Sequence, residues 1–284
     1  MKATDQKVWL VTGVSSGFGK ELMHAISEAG DIAVGTVRKE EQIATTEAIL
    51  PGNTFAYLLD VRNQKQVNQV VSDVHNRFGK IDIVVNNAGY GLIGAVEESS
   101  DEEVRQQLET NLFGALYVTQ MVLPIMRKQK AGHLIQISSV GGFVSYPGAG
   151  IYNASKYALE GFSEAIAKEA GHLGIKVTTV EPGPFRTEWA GTSLKQTKQR
   201  IDDYHQSVGE FRAWLVSDNG SQVGDPYLAA KAIVTLAYNA NPPLNFPLGE
   251  SAINAMRQKM KRLSGEIDKW EELSLNTAFT EAKV

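Results

Sequence analysis

Three observations in this 284-residue sequence predict a doubly wound parallel α/β sheet of about seven strands. Short apolar runs alternate with amphipathic helical stretches as far as position 181. A glycine-rich turn, residues 12–19 (TGVSSGFG), joins the first apolar run to the first helix. The run at 81–85 (IDIVV) is nearly all apolar, as in a strand covered on both faces.

Each element has its own signal. Residues 8–12 (VWLVT) predict the first strand, followed by a helix over 17–29 that Gly30 stops, because glycine tolerates the left-handed backbone that ends helices. The second strand is 32–37, with a helix after it, and the third is 54–59 (TFAYLL). A helix over 63–78 sets Val67, Val70, Val71, Val74 and Phe78 on one face. The fourth strand, 81–85, leads into a long helix over 101–129 that Pro124 is expected to kink. The fifth strand is 133–138, a helix starting near Tyr152 runs to Leu173, and the sixth strand is 175–181. Periodicity weakens between 187 and 224, where Gly, Ser, Gln and Lys dominate. A helix at 226–240, a short strand at 244–248 behind Pro242-Pro243 and a charged helix at 250–272 complete the chain; the tail after Ser274 is expected to be loosely ordered. With no linker, composition shift or repeat, residues 1–284 read as one domain.

Composition narrows the function. A net charge of -4 gives no reason to expect nucleic acid or an anionic membrane as partner. No apolar run approaches the roughly 20 residues of a bilayer span, and the run at 8–11 is too short for a signal peptide. Cysteine is absent, which excludes disulfides, thiolate metal sites and a Cys nucleophile, and fits a cytoplasmic protein. The histidines (24, 75, 133, 172 and 205) have no ligand spacing, so no metal is assigned.

Two motifs carry chemistry. Gly13, Gly17 and Gly19 let the backbone turn tightly and approach a pyrophosphate, to which the following helix N-terminus offers N–H groups and a positive dipole end. Tyr152 and Lys156 stand four residues apart on one helix face. A nearby ammonium favours the phenolate, tuning the phenol as a general acid/base.

The Gly-x-x-x-Gly-x-Gly spacing is followed, in order, by NNAG at 86–89, Asn111, ISS at 137–139, Tyr152-x-x-x-Lys156 and EPGPFRT at 181–187. This series resembles the short-chain dehydrogenase/reductase family over residues 7–187, and looks similar to its 17β-hydroxysteroid and retinol dehydrogenase-like branch. The resemblance implies a Rossmann-like domain, with a substrate lid at 188–223 and a C-terminal extension at 250–272. It implies catalysis by Asn111, Ser139, Tyr152 and Lys156: Tyr152 moves the proton, Ser139 polarises the substrate oxygen, and Asn111 holds a water that links Lys156 to solvent. Ser139 rather than Ser138 has the family's spacing to Tyr152.

Cofactor contacts are expected from Gly13, Ser15, Ser16, Gly17, Phe18 and Gly19 in the turn. By resemblance, Asp60 and Val61 border the adenine, Asn87, Ala88 and Gly89 pass the ribose, and Pro182, Gly183, Phe185 and Thr187 line the nicotinamide end beside Tyr152 and Lys156. Where an acid would bind the ribose 2′-hydroxyl, this chain has Arg38 and Lys39 (GTVRK). A guanidinium fork suits a 2′-phosphate, so NADP(H) is favoured, with NAD(H) the alternative.

The expected activity is NADP-dependent hydride transfer between nicotinamide and a carbonyl or secondary alcohol. The alternatives are a 3-oxoacyl reductase and a dinucleotide-binding redox sensor. Trp189, Tyr204, Phe211, Trp214 and Leu215 in the lid, with Phe143, Val144 and Tyr146, suggest an apolar ketone or alcohol, or else pack the lid onto the domain. The resemblance implies a homo-dimer or homo-tetramer. Ala154, Ala158, Gly161 and Ala165 are small enough for helix packing between subunits, or against their own sheet.

Overall fold

The computed structural model describes residues 6–189, 191 and 193–279. Its strands are β1 (Val8–Val11), β2 (Ile32–Val37), β3 (Thr54–Leu58), β4 (Ile83–Asn86), β5 (Gly91–Ile93), β6 (Gly132–Ile137), β7 (Ile175–Pro182), β8 (Leu194–Gln196) and β9 (Asn245–Leu248). Seven of them form one parallel sheet in the order β3-β2-β1-β4-β6-β7-β9, the doubly wound arrangement expected.

The helices are α1 (Gly17–Glu28), α2 (Glu41–Glu47), α3 (Gln64–Phe78), α4 (Asp101–Leu108), α5 (Gly114–Gln129), α6 (Gly150–Ala170), α7 (Glu210–Asp218), α8 (Pro226–Ala237) and α9 (Glu250–Leu275). Alternation along β1 sorts the two faces. Trp9 and Val11 enter a core with Leu22 and Ile26 of α1 and Ile233 of α8. Val8 and Leu10 enter another with Val67 and Val71 of α3, Val118 and Val122 of α5, and Ile166 of α6. Each such fully buried aliphatic side chain contributes about 1.5–3 kcal/mol.

Helix ends follow local chemistry. Asn63 caps α3 by accepting from the Lys65 and Gln66 amides, and Gly79, at φ 74°, ends it. Gly30 likewise follows α1 at φ 85°.

The structure departs from the sequence reading in several places. The helix expected over 101–129 runs unbroken between those bounds, but a π turn at Glu109–Phe113 divides it into α4 and α5, and Pro124 lies inside α5. The strand expected from Ile81 starts at Ile83, and α8 stops at Ala237. The weakly periodic region contains α7, and its β8 pairs with β5 in a separate two-stranded sheet that short runs did not reveal. Helix α9 continues to Leu275; of the tail expected after Ser274, residues 280–284 lie outside the described residues.

Candidate active site

Because every strand of the main sheet runs the same way, β1, β2, β4, β6 and β7 deliver their carboxyl ends to one edge. A cavity of about 890 Å³ crosses that edge. Parallel wound sheets place ligands there.

At one end is the glycine turn. Gly13 and Gly17 have φ of 71° and 55°, conformations that L side chains rarely adopt. Ser16 precedes α1 without a side-chain hydrogen bond to the first turn, leaving those N–H groups for an anion. Behind the turn, the Thr12 hydroxyl accepts from the Asn87 and Ala88 amides at 3.0 Å each. The Asn87 side chain donates to the carbonyls of Thr12 and Gly13 at 2.9 and 2.8 Å. The NNAG segment and the glycine turn are therefore one rigid unit. Gly19 belongs to this packing: an added Cβ would lie 2.3 Å from the Gly13 carbonyl oxygen and 2.6 Å from the Asn87 amide nitrogen. The loop after β7 closes the other side, with Phe185 edge-on to Phe18 at 5.2 Å.

Arg38 and Asp60 line the cavity beside Arg62, which sequence reasoning missed. Arg62 grips Asp60 with two nitrogens, at 3.0 and 2.5 Å. This hydrogen-bonded guanidinium holds the Asp60 carboxyl below its usual range, and the Arg38 charge adds to the effect. Arg38 and the Arg62–Asp60 pair thus stand together at one end of the cavity.

At the other end, α6 presents Tyr152 and Lys156, both buried. Ser139 precedes a 3₁₀ turn, and its hydroxyl accepts from the Gly141 amide at 2.9 Å. Asn153 fixes this turn by donating to the Gly141 carbonyl at 2.8 Å and accepting from the Tyr146 amide at 3.2 Å. The Lys156 ammonium donates to the Ile137 carbonyl at 2.7 Å.

The expected tuning of phenol by ammonium is not the main influence here. Burial pushes the Tyr152 phenol up to about 12, opposed by a hydrogen bond with Ser139. Burial brings Lys156 down to about 8, opposed by the charge of Glu160. A low-dielectric site disfavours both charged forms. The phenol therefore rests protonated, the form that gives a proton to a carbonyl.

Asn111 lies behind the cavity wall, in the π turn. It accepts from the Tyr90 amide at 3.0 Å and donates to the Tyr90 carbonyl at 3.0 Å and to the Ser155 hydroxyl at 3.1 Å. A Cβ on Gly89 would be 3.1 Å from Asn111 Oδ1 and 3.7 Å from Lys156 Nζ, so both groups flank that glycine.

The end of the cavity beside Tyr152 is aromatic. Trp189 packs on Tyr152 at 5.4 Å, Tyr146 stacks on Phe211 at 6.2 Å, and Phe211 stacks on Trp214 at 5.6 Å. These rings and Leu215 line the cavity. Tyr204 instead donates to Glu97 at 2.7 Å, while Phe143 and Val144 pack against Met256 of α9. Arg212 of α7 reaches the buried Glu98 at 2.5 Å and anchors this wall. Burial would raise the Glu98 carboxyl, but Arg212 and the amides of Ile201 and Ala95 outweigh it and bring it down to about 2.

Of the residues singled out from sequence, Gly13, Ser15, Ser16, Gly17, Phe18, Arg38, Asp60, Val61, Asn87, Ala88, Gly89, Ser139, Tyr152, Lys156, Pro182, Gly183, Phe185 and Thr187 line this one cavity. Gly19 and Asn111 support it from behind.

The profile of the short chain dehydrogenase family matches residues 7–198. This chain belongs to the short chain dehydrogenase family. Oxidoreductase BOA17 of Botryotinia fuckeliana is 39% identical over 273 residues, covering 96% of this chain and 99% of the relative. The 3-ketodihydrosphingosine reductase of Bacteroides thetaiotaomicron is 36% identical, with coverages of 86% and 88%. An NADPH-dependent 3-dehydrocapnine reductase of Ornithobacterium rhinotracheale is 33% identical, with coverages of 82% and 84%.

Among solved structures, a short-chain dehydrogenase from Streptomyces avermitilis is 37% identical with a TM-score of 0.91, covering 96% of this chain and 99% of that one. ElxO with NADP bound is 25% identical with a TM-score of 0.73, the coverages being 88% and 99%. This short chain dehydrogenase is an NAD(P)-dependent oxidoreductase that acts on a small molecule. Its glycine turn and open first-turn amides fit a dinucleotide. Among the described residues, no helix is long and apolar enough to cross a membrane, and no group of His, Asp and Glu could hold a metal.

Proposed function

We propose that this protein interconverts an apolar ketone and its secondary alcohol with NADP(H) as cofactor. The observation that carries the reading is one cavity that holds the glycine turn, Arg38 and the Arg62–Asp60 pair at one end and the buried Tyr152 phenol under aromatic rings at the other. When bound, the nicotinamide supplies or accepts the hydride.

The residues divide the remaining work. In reduction, the Tyr152 hydroxyl donates a proton to the carbonyl oxygen, and Ser139 holds and polarises that oxygen. Lys156 lies beside the ribose-facing segment 87–89 and shares its charge with the Ile137 carbonyl. Asn111 braces the wall between Tyr90 and Ser155. Trp189, Phe211 and Trp214 exclude water and accept an apolar body. Arg38 favours the 2′-phosphate, and the relative described as NADPH-dependent and the NADP-bound neighbour support that preference.

Oxidation of NADPH and of NADH is measured with a panel of bulky ketones that includes 3-ketodihydrosphingosine and a 3-oxoacyl thioester. The wild type is expected to prefer NADPH and an apolar ketone. Tyr152→Phe should keep NADPH affinity and lose about 10²–10⁴-fold in turnover. Arg38→Asp should weaken NADPH and spare NADH. Tight NADPH binding without turnover of any ketone would overturn the reading in favour of a sensor; preference for the thioester would make the protein a 3-oxoacyl reductase.

A further inference from the structure

The active-site argument leaves α9 unused. Its first turns are held by the body through Ala252 and Met256, both buried, and through Lys259, which donates to the Phe143 carbonyl and the Tyr157 hydroxyl. From Met260 to the end of the helix every residue is exposed. A helical segment of about 16 residues is marginal in water on its own, and depends on packing an apolar face.

That face exists. Ile253, Met256, Met260, Leu263, Ile267 and Trp270 repeat at alternating intervals of three and four, the heptad seam of a coiled coil. Met260, Leu263, Ile267 and Trp270 are 52%, 36%, 67% and 57% exposed.

Charge is distributed unevenly along the same helix. Arg257, Lys259, Lys261 and Arg262 fall in the half nearer the body with no acid among them, whereas Glu266, Asp268, Glu271 and Glu272 crowd the outer half with Lys269 the single base. A polyanionic surface would meet both signs on such a helix. A second copy running antiparallel would set the basic half of each helix beside the acidic half of the other.

We infer that α9 pairs antiparallel with α9 of a second copy of this chain, about a two-fold axis near Gly265. This register sets Met260 against the other copy's Trp270 and Leu263 against its Ile267, each twice by symmetry, giving four apolar layers. In the flanking positions Arg257 faces Glu271 of the other copy, again twice. Glu266 meets its own counterpart near the axis, where Arg262, 2.5 Å away on the same helix, already balances it. The contact is isologous and closes on itself, so it stops at two chains. It lies away from the cavity and does not depend on which substrate is turned over.

Light scattering after size exclusion gives the mass of the wild type, of Ile267→Asp, of Arg257→Glu, and of Arg257→Glu with Glu271→Arg. Ile267→Asp and Arg257→Glu should each halve the particle mass, while circular dichroism and turnover per chain stay at wild-type values. The double reversal should restore the mass.

Because the chain has no cysteine, single cysteines report the direction of pairing. Arg257→Cys mixed with Glu271→Cys should cross-link with a short bis-maleimide, and neither should cross-link alone. A monomeric wild type, a mass unchanged in Ile267→Asp, or cross-linking of Arg257→Cys to itself would overturn the inference. So would sedimentation of the wild type with vesicles of anionic phospholipid accompanied by a monomeric mass.

Discussion

The Arg212–Glu98 contact ties the aromatic wall to the body, and removing one partner measures its worth. In Arg212→Met the guanidinium 2.5 Å from Glu98 is lost, leaving a buried carboxylate. Breaking a buried pair on one side costs about 3–5 kcal/mol. Here Glu98 keeps the amides of Ala95 and Ile201, both at 2.9 Å, so the lower end, about 3 kcal/mol, applies. At about 2–4 °C per kcal/mol for a chain of this size, global destabilisation would lower Tm by roughly 6–12 °C. If α7 undocks by itself, Tm falls less. Phe211, Trp214 and Leu215 then leave the cavity, and KM for a bulky ketone rises at unchanged NADPH affinity.

The assay is a thermal melt paired with ketone KM at saturating NADPH. Adding Glu98→Gln to Arg212→Met removes the stranded charge and should recover part of the loss. The folded state holds the Glu98 carboxyl near 2, below its ordinary 4.5. Its contribution is therefore complete above pH 4.5 and fades as the pH falls toward 2. Wild-type Tm and KM in Arg212→Met would refute the reasoning.

Two further perturbations are worth making. Burial and the neighbouring Glu160 raise Glu181 to about 7; the folded state then binds more protons than the unfolded one between pH 4.5 and 7, and wild-type stability should fall across that window by about 3 kcal/mol. In urea melts Glu181→Gln should lack this slope, and parallel profiles for the two proteins would contradict it. Gly19→Ala drives a methyl into the Gly13 carbonyl and should cost about 1–3 kcal/mol and weaken NADPH in a fluorescence titration, whereas Gly161→Ala, with open space around it, should be neutral or slightly stabilising. Equal behaviour of the two alanine variants would remove the packing role assigned to Gly19.

The sheet and the glycine turn were legible because both are written in local patterns. Strand burial on two faces leaves apolar runs, and a backbone that must turn at positive φ leaves glycines at 13 and 17. What stayed hidden depends on tertiary partners. The π turn around Asn111 exists because that side chain reaches Tyr90 and Ser155, 21 and 44 residues away, and nothing in the helix pattern over 101–129 encodes those bonds. The pairing of β5 with β8 joins two three-residue runs about a hundred positions apart. Arg62 escaped notice because its role comes from the Asp60 it grips. The phenol–ammonium argument used proximity along the helix and omitted burial, which is the largest influence on each group.

The entry and exit of the segment that carries the aromatic wall touch each other. Phe185 bridges Gly224, and the Arg186 amide donates to the Gly224 carbonyl at 2.9 Å. The described residues between them form a loop that returns to its starting point and touches the body on the way at β5 and Glu98. The entropy of closing such a loop changes only slowly with its length. Selection can therefore lengthen, shorten or rewrite this cassette without redrawing the sheet or the dinucleotide cradle. One scaffold of this kind can be refitted for new ketones by exchanging about forty residues whose ends are already stitched together.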